Sequence, residues 1–382
     1  MSYNHIMYRS GLLLVALLGF SVAVASRLWR TPLAWWNWVA LLLLLTGFGA
    51  LAVAWRRRAR NTPPKWYSLR PGILCAGSLL LLSSWFVARV PAPMGTGPAG
   101  PEVAAVAFAR TWSERPVVLL SLGDSVSTGY GAPRGHGYFE LIRENADETY
   151  PEMAGIELAR VLPNLRPVRK ASNSTNSIEH LREITALPIY GPETFGIVCI
   201  TTGGIDLIHY YGKAEPQEGA MYGASWQQAE PWVANFRARL DEMILALKEK
   251  FPGGCAVMLA TIYEPTDGVG DIENAGPLFW LPAWPDGKRV HGAFNDALRD
   301  CAAVHDHVHL VDMHGVMLGH GIHCQDRTNE HYNADDPTYW FYVNLEDPNR
   351  RGYDAIRRVF LNGIVDALRV EPGFDVPALP GP

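Results

Sequence analysis

The residues best suited to chemistry stand at the end of an apolar run. Val117-Val-Leu-Leu-Ser-Leu-Gly-Asp-Ser125 reads as a buried strand that runs into a turn opening a helix. A serine at such a turn exposes its hydroxyl beside backbone N–H groups that no helical carbonyl takes up, and those groups can hold an oxyanion. The corresponding chemistry is nucleophilic acyl transfer through an acyl-serine. Ser and Asp are also ordinary helix N-caps, so the tripeptide alone leaves both readings open. A second group is Leu318-Gly-His-Gly-Ile-His-Cys324, with His331 just beyond it. His320, His323 and His331 are candidate bases, and Asp347 or Glu346 is a candidate for the carboxylate that orients an imidazole.

Further blocks follow in a fixed order. Ala171-Ser-Asn-Ser-Thr-Asn-Ser177 comes next, then Thr201-Thr-Gly-Gly-Ile-Asp-Leu207 after a second strand-like run, and Asp347-Pro-Asn-Arg-Arg-Gly-Tyr353 enters the last amphipathic stretch. With Gly123-Asp124-Ser125, these blocks resemble the SGNH (GDSL) hydrolase family over about residues 117–370. The resemblance implies a three-layer α/β/α sandwich with a parallel, flavodoxin-like sheet and a serine ester hydrolase that needs no cofactor. Ser125 is then the nucleophile, and the backbone N–H groups of Ser125, Ser174 and Gly204 hold the oxyanion, with Asp124 beside them. His320 is the expected base and Asp347 its carboxylate partner. The implied substrates are lipid acyl esters or O-acetyl groups on envelope glycans.

The chain departs from the family pattern at several of its defining positions. Ser174, or Asn173 if the alignment shifts by one, stands for the second-block glycine, which is tolerable where only a backbone N–H is used. Ile205 stands for the third-block asparagine and removes a side-chain donor. Asp347 stands for the last-block histidine, and Asn344 for the aspartate three residues before it. A carboxyl group with an ordinary pKa near ~3.9 is a poorer base than imidazole at neutral pH. Three readings stay open: an active hydrolase whose base comes from elsewhere, a degenerate module that binds without cleaving, and an acyltransferase that passes the acyl group to a glycan or lipid.

The elements that must position these residues are legible in outline. Val117–Leu122, Gly196–Thr201, Ala256–Ile262 and His307–Val311 read as buried parallel strands, alternating with helices over Tyr150–Val161, Glu230–Phe251, His291–His305 and Arg351–Val370. Such a sheet places its site beyond the carboxyl ends of the strands. The acidic, glycine-rich loop Tyr263–Asp271 follows one of those ends. It could shape the crevice, or ligate calcium through Asp267, Asp271 and Glu273, although it lacks EF-hand spacing. His305, His307 and His309 alternate into a strand and share a face, but no second cluster with metal-ligand spacing supports a metal there.

The chain of 382 residues is 48% hydrophobic and only 19% charged, which excludes a disordered or collagen-like chain. The apolar excess is concentrated in Gly11–Ser26, Leu33–Trp55 and Gly72–Val90, each close to the ~20 residues that cross a bilayer. A cleaved signal peptide is the competing reading of the first run. Arg56, Arg57, Arg58, Arg60, Lys65 and Arg70 fill the loop after the second run. By the positive-inside rule that loop is cytoplasmic and the large C-terminal part lies outside, in a bacterium beyond the inner membrane. The expected organisation is a three-span anchor over 1–90, a Pro/Gly/Ala-rich linker over 91–115, a hydrolase-like domain over 116–372 and a tail over 373–382. The expected partners are the bilayer and an ester substrate. A net charge of −5 argues against nucleic acid, whose binders carry a basic patch. The cysteines show no zinc spacing, and any disulfide pairing is left open.

Overall fold

The computed structural model describes residues 94–275, 281–342 and 344–378. The three apolar runs and the expected anchor lie outside the described residues. Among the described residues no helix is long and apolar enough to cross a membrane.

Five strands, β1 (Val117–Leu122), β2 (Leu165–Arg169), β3 (Phe195–Ile200), β4 (Cys255–Ala260) and β5 (Val308–Val311), form one parallel sheet in the order β2-β1-β3-β4-β5. The helices are α1 (Ser125–Thr128), α2 (Tyr138–Arg143), α3 (Leu158–Val161), α4 (Ser177–Thr185), α5 (Gly204–Ile208), α6 (Trp226–Lys250), α7 (Gly287–Val304), α8 (Met313–Met317) and α9 (Arg350–Val370). Successive strand residues point to opposite faces. Val117, Leu119, Ile197, Cys199 and Met258 pack with α2, α3 and α9, whereas Val118, Leu120, Val198, Ile200, Val257 and Leu259 pack with α4, α6 and α7. Both faces of the three central strands are therefore buried, which is why those strands read as unbroken apolar runs. The result is an α/β sandwich whose strand order places the crevice at the carboxyl ends of β1 and β3.

Several elements differ from the sequence expectation. β2 was not expected: it is the edge strand, only partly buried, and carries Pro167, which an edge tolerates because one side needs no ladder. The single helix expected over 150–161 is a 3-10 turn at Pro151–Met153 and then α3, separated by Gly155 at φ 77°. The start of α6 lies upstream of the expected Glu230, because Ser225 and Gln228 form a capping box. A second capping box, Asn176 with Glu179, starts α4. The four described cysteines, Cys199, Cys255, Cys301 and Cys324, are buried and free.

Residues 94–115 are no free linker. Ala99, Val103, Phe108 and Trp112 are buried in the core on the α9 side. The Ala99 N–H donates to Asp354 Oδ2 at 3.1 Å, and the Arg351 guanidinium donates to the Pro98 carbonyl at 2.8 Å. Asp354 is fully buried between Arg357 and Arg358, so its charge is paired as burial demands. The composition suggested a linker because Pro and Gly shape the chain there, while the few large side chains that anchor it are widely spaced. The expected tail behaves in the same way, with Phe374 and Val376 buried in that core.

Candidate active site

A cavity of about 340 Å³ opens where the carboxyl ends of β1, β3, β4 and β5 meet, and Asp124, Ser125, Gly204 and Ile205 line it. Its walls are largely apolar and aromatic, including Leu207, Ile208, Tyr211, Tyr222, Ile262 and Trp284. Ser125 is the first residue of α1, directly past β1. Gly123 makes the turn: its φ is 134°, and a Cβ there would lie 2.3 Å from the Thr201 carbonyl oxygen, so only glycine fits. Asp124 caps α1, its Oδ1 accepting from the Val126 N–H at 3.1 Å and from the Thr201 hydroxyl at 3.3 Å.

The three expected oxyanion donors gather around this turn. The loop carrying Ser174 is tied to it by the Ser172 N–H, which donates to the Gly123 carbonyl at 3.0 Å, and by the Thr128 hydroxyl, which donates to Asn173 Oδ1 at 2.6 Å. Ser174 itself has φ 62°, a left-handed conformation suited to glycine, so this serine occupies a glycine's backbone position. Among the described residues the N–H groups of Ser125, Ser174 and Gly204 donate to no acceptor. Ile205 is buried on the cavity wall and offers no polar atom.

The three candidate histidines are elsewhere, and none lines the cavity. His320 stacks flat on Trp340, with ring centroids 3.3 Å apart, and its Nδ1 bonds the Thr338 carbonyl at 3.0 Å. Burial pushes its pKa down to about 4. His323 Nε2 pairs with Asp271 Oδ1 at 2.8 Å, and His331 Nε2 with Glu330 at 3.3 Å. The expectation that His320 is the base therefore fails: its ring belongs to the packing of the late loop. Asp347 has no imidazole to orient and instead faces Ser125 directly. The nearby serine hydroxyl favours the ionised carboxyl. This contact is not well aligned, because Asp347 Oδ1 is buried without a partner of good geometry; such hydrogen bonds often tighten only when substrate binds. Asp347 Oδ2 accepts from Asn344 Nδ2 at 2.7 Å.

Carboxyl groups crowd this place. Burial, and next the backbone hydrogen bond from Val126 and the charge of Asp347, set Asp124; the net effect lifts it from 3.8 to about 7. Burial also raises Asp347, against the hydrogen bond from Asn344 and the nearby Ser125 hydroxyl. Glu346, on the cavity wall, is raised by burial and partly offset by the Tyr211 hydroxyl. Tyr211 and its neighbour Tyr210 both have positive φ, 46° and 63°, a backbone conformation that costs energy and clusters at working sites. The loop after β4 forms another wall through Glu264, Gly268, Gly270 and Ile272. Asp267 is no calcium ligand there: its oxygens accept the N–H groups of Gly319, Gly321 and His323 at 3.0, 2.7 and 2.8 Å, clamping the two loops together.

Two histidines that the sequence reading passed over do line the cavity. His291 sits on α7, and His314 lies just beyond β5, with rings 5.0 Å apart. His291 Nε2 contacts the Ile262 carbonyl at 2.8 Å. His314, three residues past a strand end, was findable by position. His305 pairs with Asp241 and lies near Cys301 at the opposite end of β5, remote from the crevice.

No curated protein matches the sequence. A lipolytic G-D-S-L family protein from Veillonella parvula is similar in structure at 15% identity, over 64% of this chain and 97% of the other, with TM-score 0.39. An acetylxylan esterase from Geobacillus stearothermophilus is similar at 15% identity, 66% and 95% coverage and TM-score 0.41. TesA is similar at 16% identity, 66% and 99% coverage and TM-score 0.40. The family described as GDSL-like lipase/acylhydrolase matches residues 121–355, a span that runs from β1 into α9 and holds Ser125, Gly204 and Asp347. The chain thus belongs to the GDSL-like lipase/acylhydrolase family, whose reaction is the hydrolysis of carboxylic esters.

Proposed function

We propose that this protein is a membrane-anchored serine ester hydrolase that acts outside the cytoplasm on esters with an apolar acyl group. The observation that carries the reading is the placement of Ser125 at the end of β1, beside unengaged N–H groups and on the wall of a large apolar cavity. Ser125 Oγ attacks the ester carbonyl, the N–H groups of Ser125, Ser174 and Gly204 take the oxyanion, and water releases the acyl-serine. A cavity of about 340 Å³ with mostly apolar walls suits an acyl chain rather than an acetyl group, whose small methyl would leave most of it unfilled. This favours lipid-like acyl esters over acetylated glycans.

Anchoring rests on the apolar runs Gly11–Ser26, Leu33–Trp55 and Gly72–Val90, and orientation on the arginines between the second and third. A reporter enzyme that is active only outside the cytoplasm, fused to the C-terminus, tests the orientation; an inactive fusion refutes it. Hydrolysis is tested with the full-length protein in detergent micelles, using p-nitrophenyl butyrate and p-nitrophenyl acetate, beside Ser125→Ala. Butyrate turnover above acetate turnover, abolished in the variant, is expected. Equal rates for wild type and variant would leave a binding module, the reading that Ile205 favours by lacking an oxyanion donor.

A further inference from the structure

We propose that Asp347 is the general base for Ser125 and that Asn344 is the residue that positions it, a Ser-Asp-Asn relay in which no histidine takes part. This rests on the hydrolase reading above and assigns its proton transfers.

The argument is geometric. Among the described residues no histidine ring nitrogen hydrogen-bonds Ser125 or Asp347. His320, His323 and His331 are engaged in the late loop, and His180 is held between Thr202 at 2.8 Å and Thr175 at 3.0 Å. Of the two that line the cavity, His291 is held by the Ile262 carbonyl at 2.8 Å and His314 packs against the His291 ring. The group that does face Ser125 is Asp347, 1% exposed. One of its oxygens, Oδ2, is fixed by Asn344, while Oδ1 is a buried acceptor with no well-aligned partner. A buried carboxylate oxygen left open beside a hydroxyl is placed to accept that hydroxyl's proton.

Asn344 is itself fixed. Its Oδ1 accepts the N–H groups of Glu346 at 3.3 Å and Asp347 at 3.2 Å. Its Nδ2 must then point at Asp347, and a donor is what an ionised carboxylate requires. An aspartate at 344 would set oxygen against oxygen and repel that ion. The titratable groups around Asp347 are Asp124 from the β1 turn, Glu346 beside it, Tyr211 after α5, Tyr263 after β4 and Tyr353 on α9. The phenols do not quench it, because Tyr211 is directed to Glu346, Tyr263 donates to the Glu346 carbonyl and Tyr353 to the Tyr130 carbonyl at 2.7 Å. Burial among these groups moves the Asp347 carboxyl upward, towards the range where a base works near neutral pH.

The proton count closes. As Ser125 Oγ bonds the carbonyl carbon, its proton passes to Asp347 Oδ1. When the acyl–oxygen bond breaks, Asp347 returns that proton to the leaving alkoxide, and the alcohol departs. Water then gives a proton to Asp347 while its oxygen attacks the acyl carbon. Breakdown returns the proton to Ser125 Oγ and releases the carboxylic acid.

The test uses the full-length protein in detergent and compares kcat, KM and the pH–rate profile for p-nitrophenyl butyrate. Asp347→Asn should lower kcat by about 10²–10⁴-fold with KM little changed, the usual contribution of a positioned base. Its melting temperature should hold or rise, since a buried charge beside Asp124 is removed. Asn344→Asp should move the acid limb of the pH–rate profile to higher pH. The double variant Asp347→His with Asn344→Asp should exceed Asn344→Asp alone in kcat, because the carboxylate at 344 would then face an imidazole. Wild-type activity that needs Ser125 but survives in folded Asp347→Asn overturns the relay and leaves the hydrolase standing. An acid limb unmoved by Asn344→Asp also overturns it. Wild-type activity no greater than that of Ser125→Ala overturns the hydrolase reading itself.

Discussion

Ile205 is the residue whose replacement should most increase activity. It is the second residue of α5, next to the unengaged Gly204 N–H, and lines the cavity while 6% exposed. Ile205→Asn puts an amide donor beside the place where the oxyanion forms. One such donor is worth about 10²–10³ in kcat, roughly 3–4 kcal/mol of transition-state stabilisation. The opposing term is stability. Ile205 is in neither of the two main core clusters, so losing its side chain costs at most the ~1.5–3 kcal/mol of burying one aliphatic group. Part of that is spared, because the new amide faces a cavity that admits water. The expected result is a folded variant with a slightly lower melting temperature and a kcat for p-nitrophenyl butyrate raised at least tenfold at unchanged KM. Steady-state kinetics on the full-length protein, with thermal unfolding as the control, measure both. A folded Ile205→Asn whose kcat equals or falls below that of the wild type refutes the claim that the missing donor limits the rate.

Other perturbations follow from the same site. Ser174→Gly relieves a left-handed residue at φ 62° and should stabilise the protein by about 1 kcal/mol, seen as a higher melting temperature with kcat kept; a lower melting temperature would contradict the strain. Asp124 titrates at about 7 in the fold against 3.8 unperturbed. Its contribution is therefore complete below the unfolded value and lost as pH rises through 7. Asp124→Asn should gain stability relative to wild type as pH goes from 5 to 8, and a gap that does not vary with pH would refute this. His320→Ala removes a ring stacked on Trp340 and should lower the melting temperature while kcat stays within a few-fold of wild type. A loss of kcat comparable to that of Ser125→Ala would return His320 to the mechanism.

The sequence revealed strands and helices where one side chain pattern dominated. β1, β3 and β4 are covered on both faces and so are apolar but for Ser121, which made them visible. β2 is an edge strand with alternating partial burial and a proline, and it left no such trace. The proposed nucleophile was legible because Gly123-Asp124-Ser125 is a local motif whose geometry the chain itself dictates. The proposed base was not, because the relation of Ser125 to Asp347 spans the whole domain and depends on where α9 begins. Histidine-rich composition drew attention to His320 and His323, yet composition does not say that one ring lies on an indole and the other on an aspartate. The loop clamp by Asp267 was equally hidden, since an acidic, glycine-rich loop looks the same whether its carboxylates bind an ion or backbone N–H groups.

The docking of residues 94–112 onto α9 bears on how far the enzyme can reach. Only three residues, 91–93, lie between Val90, the end of the last apolar run, and Met94, the first residue held by Arg351. The four links from Val90 to Met94 reach at most about 14 Å. Under the anchoring proposed above, a leash of that length keeps the domain close to the lipid surface, and its esters would come from the membrane or from polymers lying against it. A protease that cut between 94 and 112 would not free a working enzyme but would pull Phe108 and Trp112 out of its core. The usable end of a soluble fragment therefore lies before Met94, inside that leash.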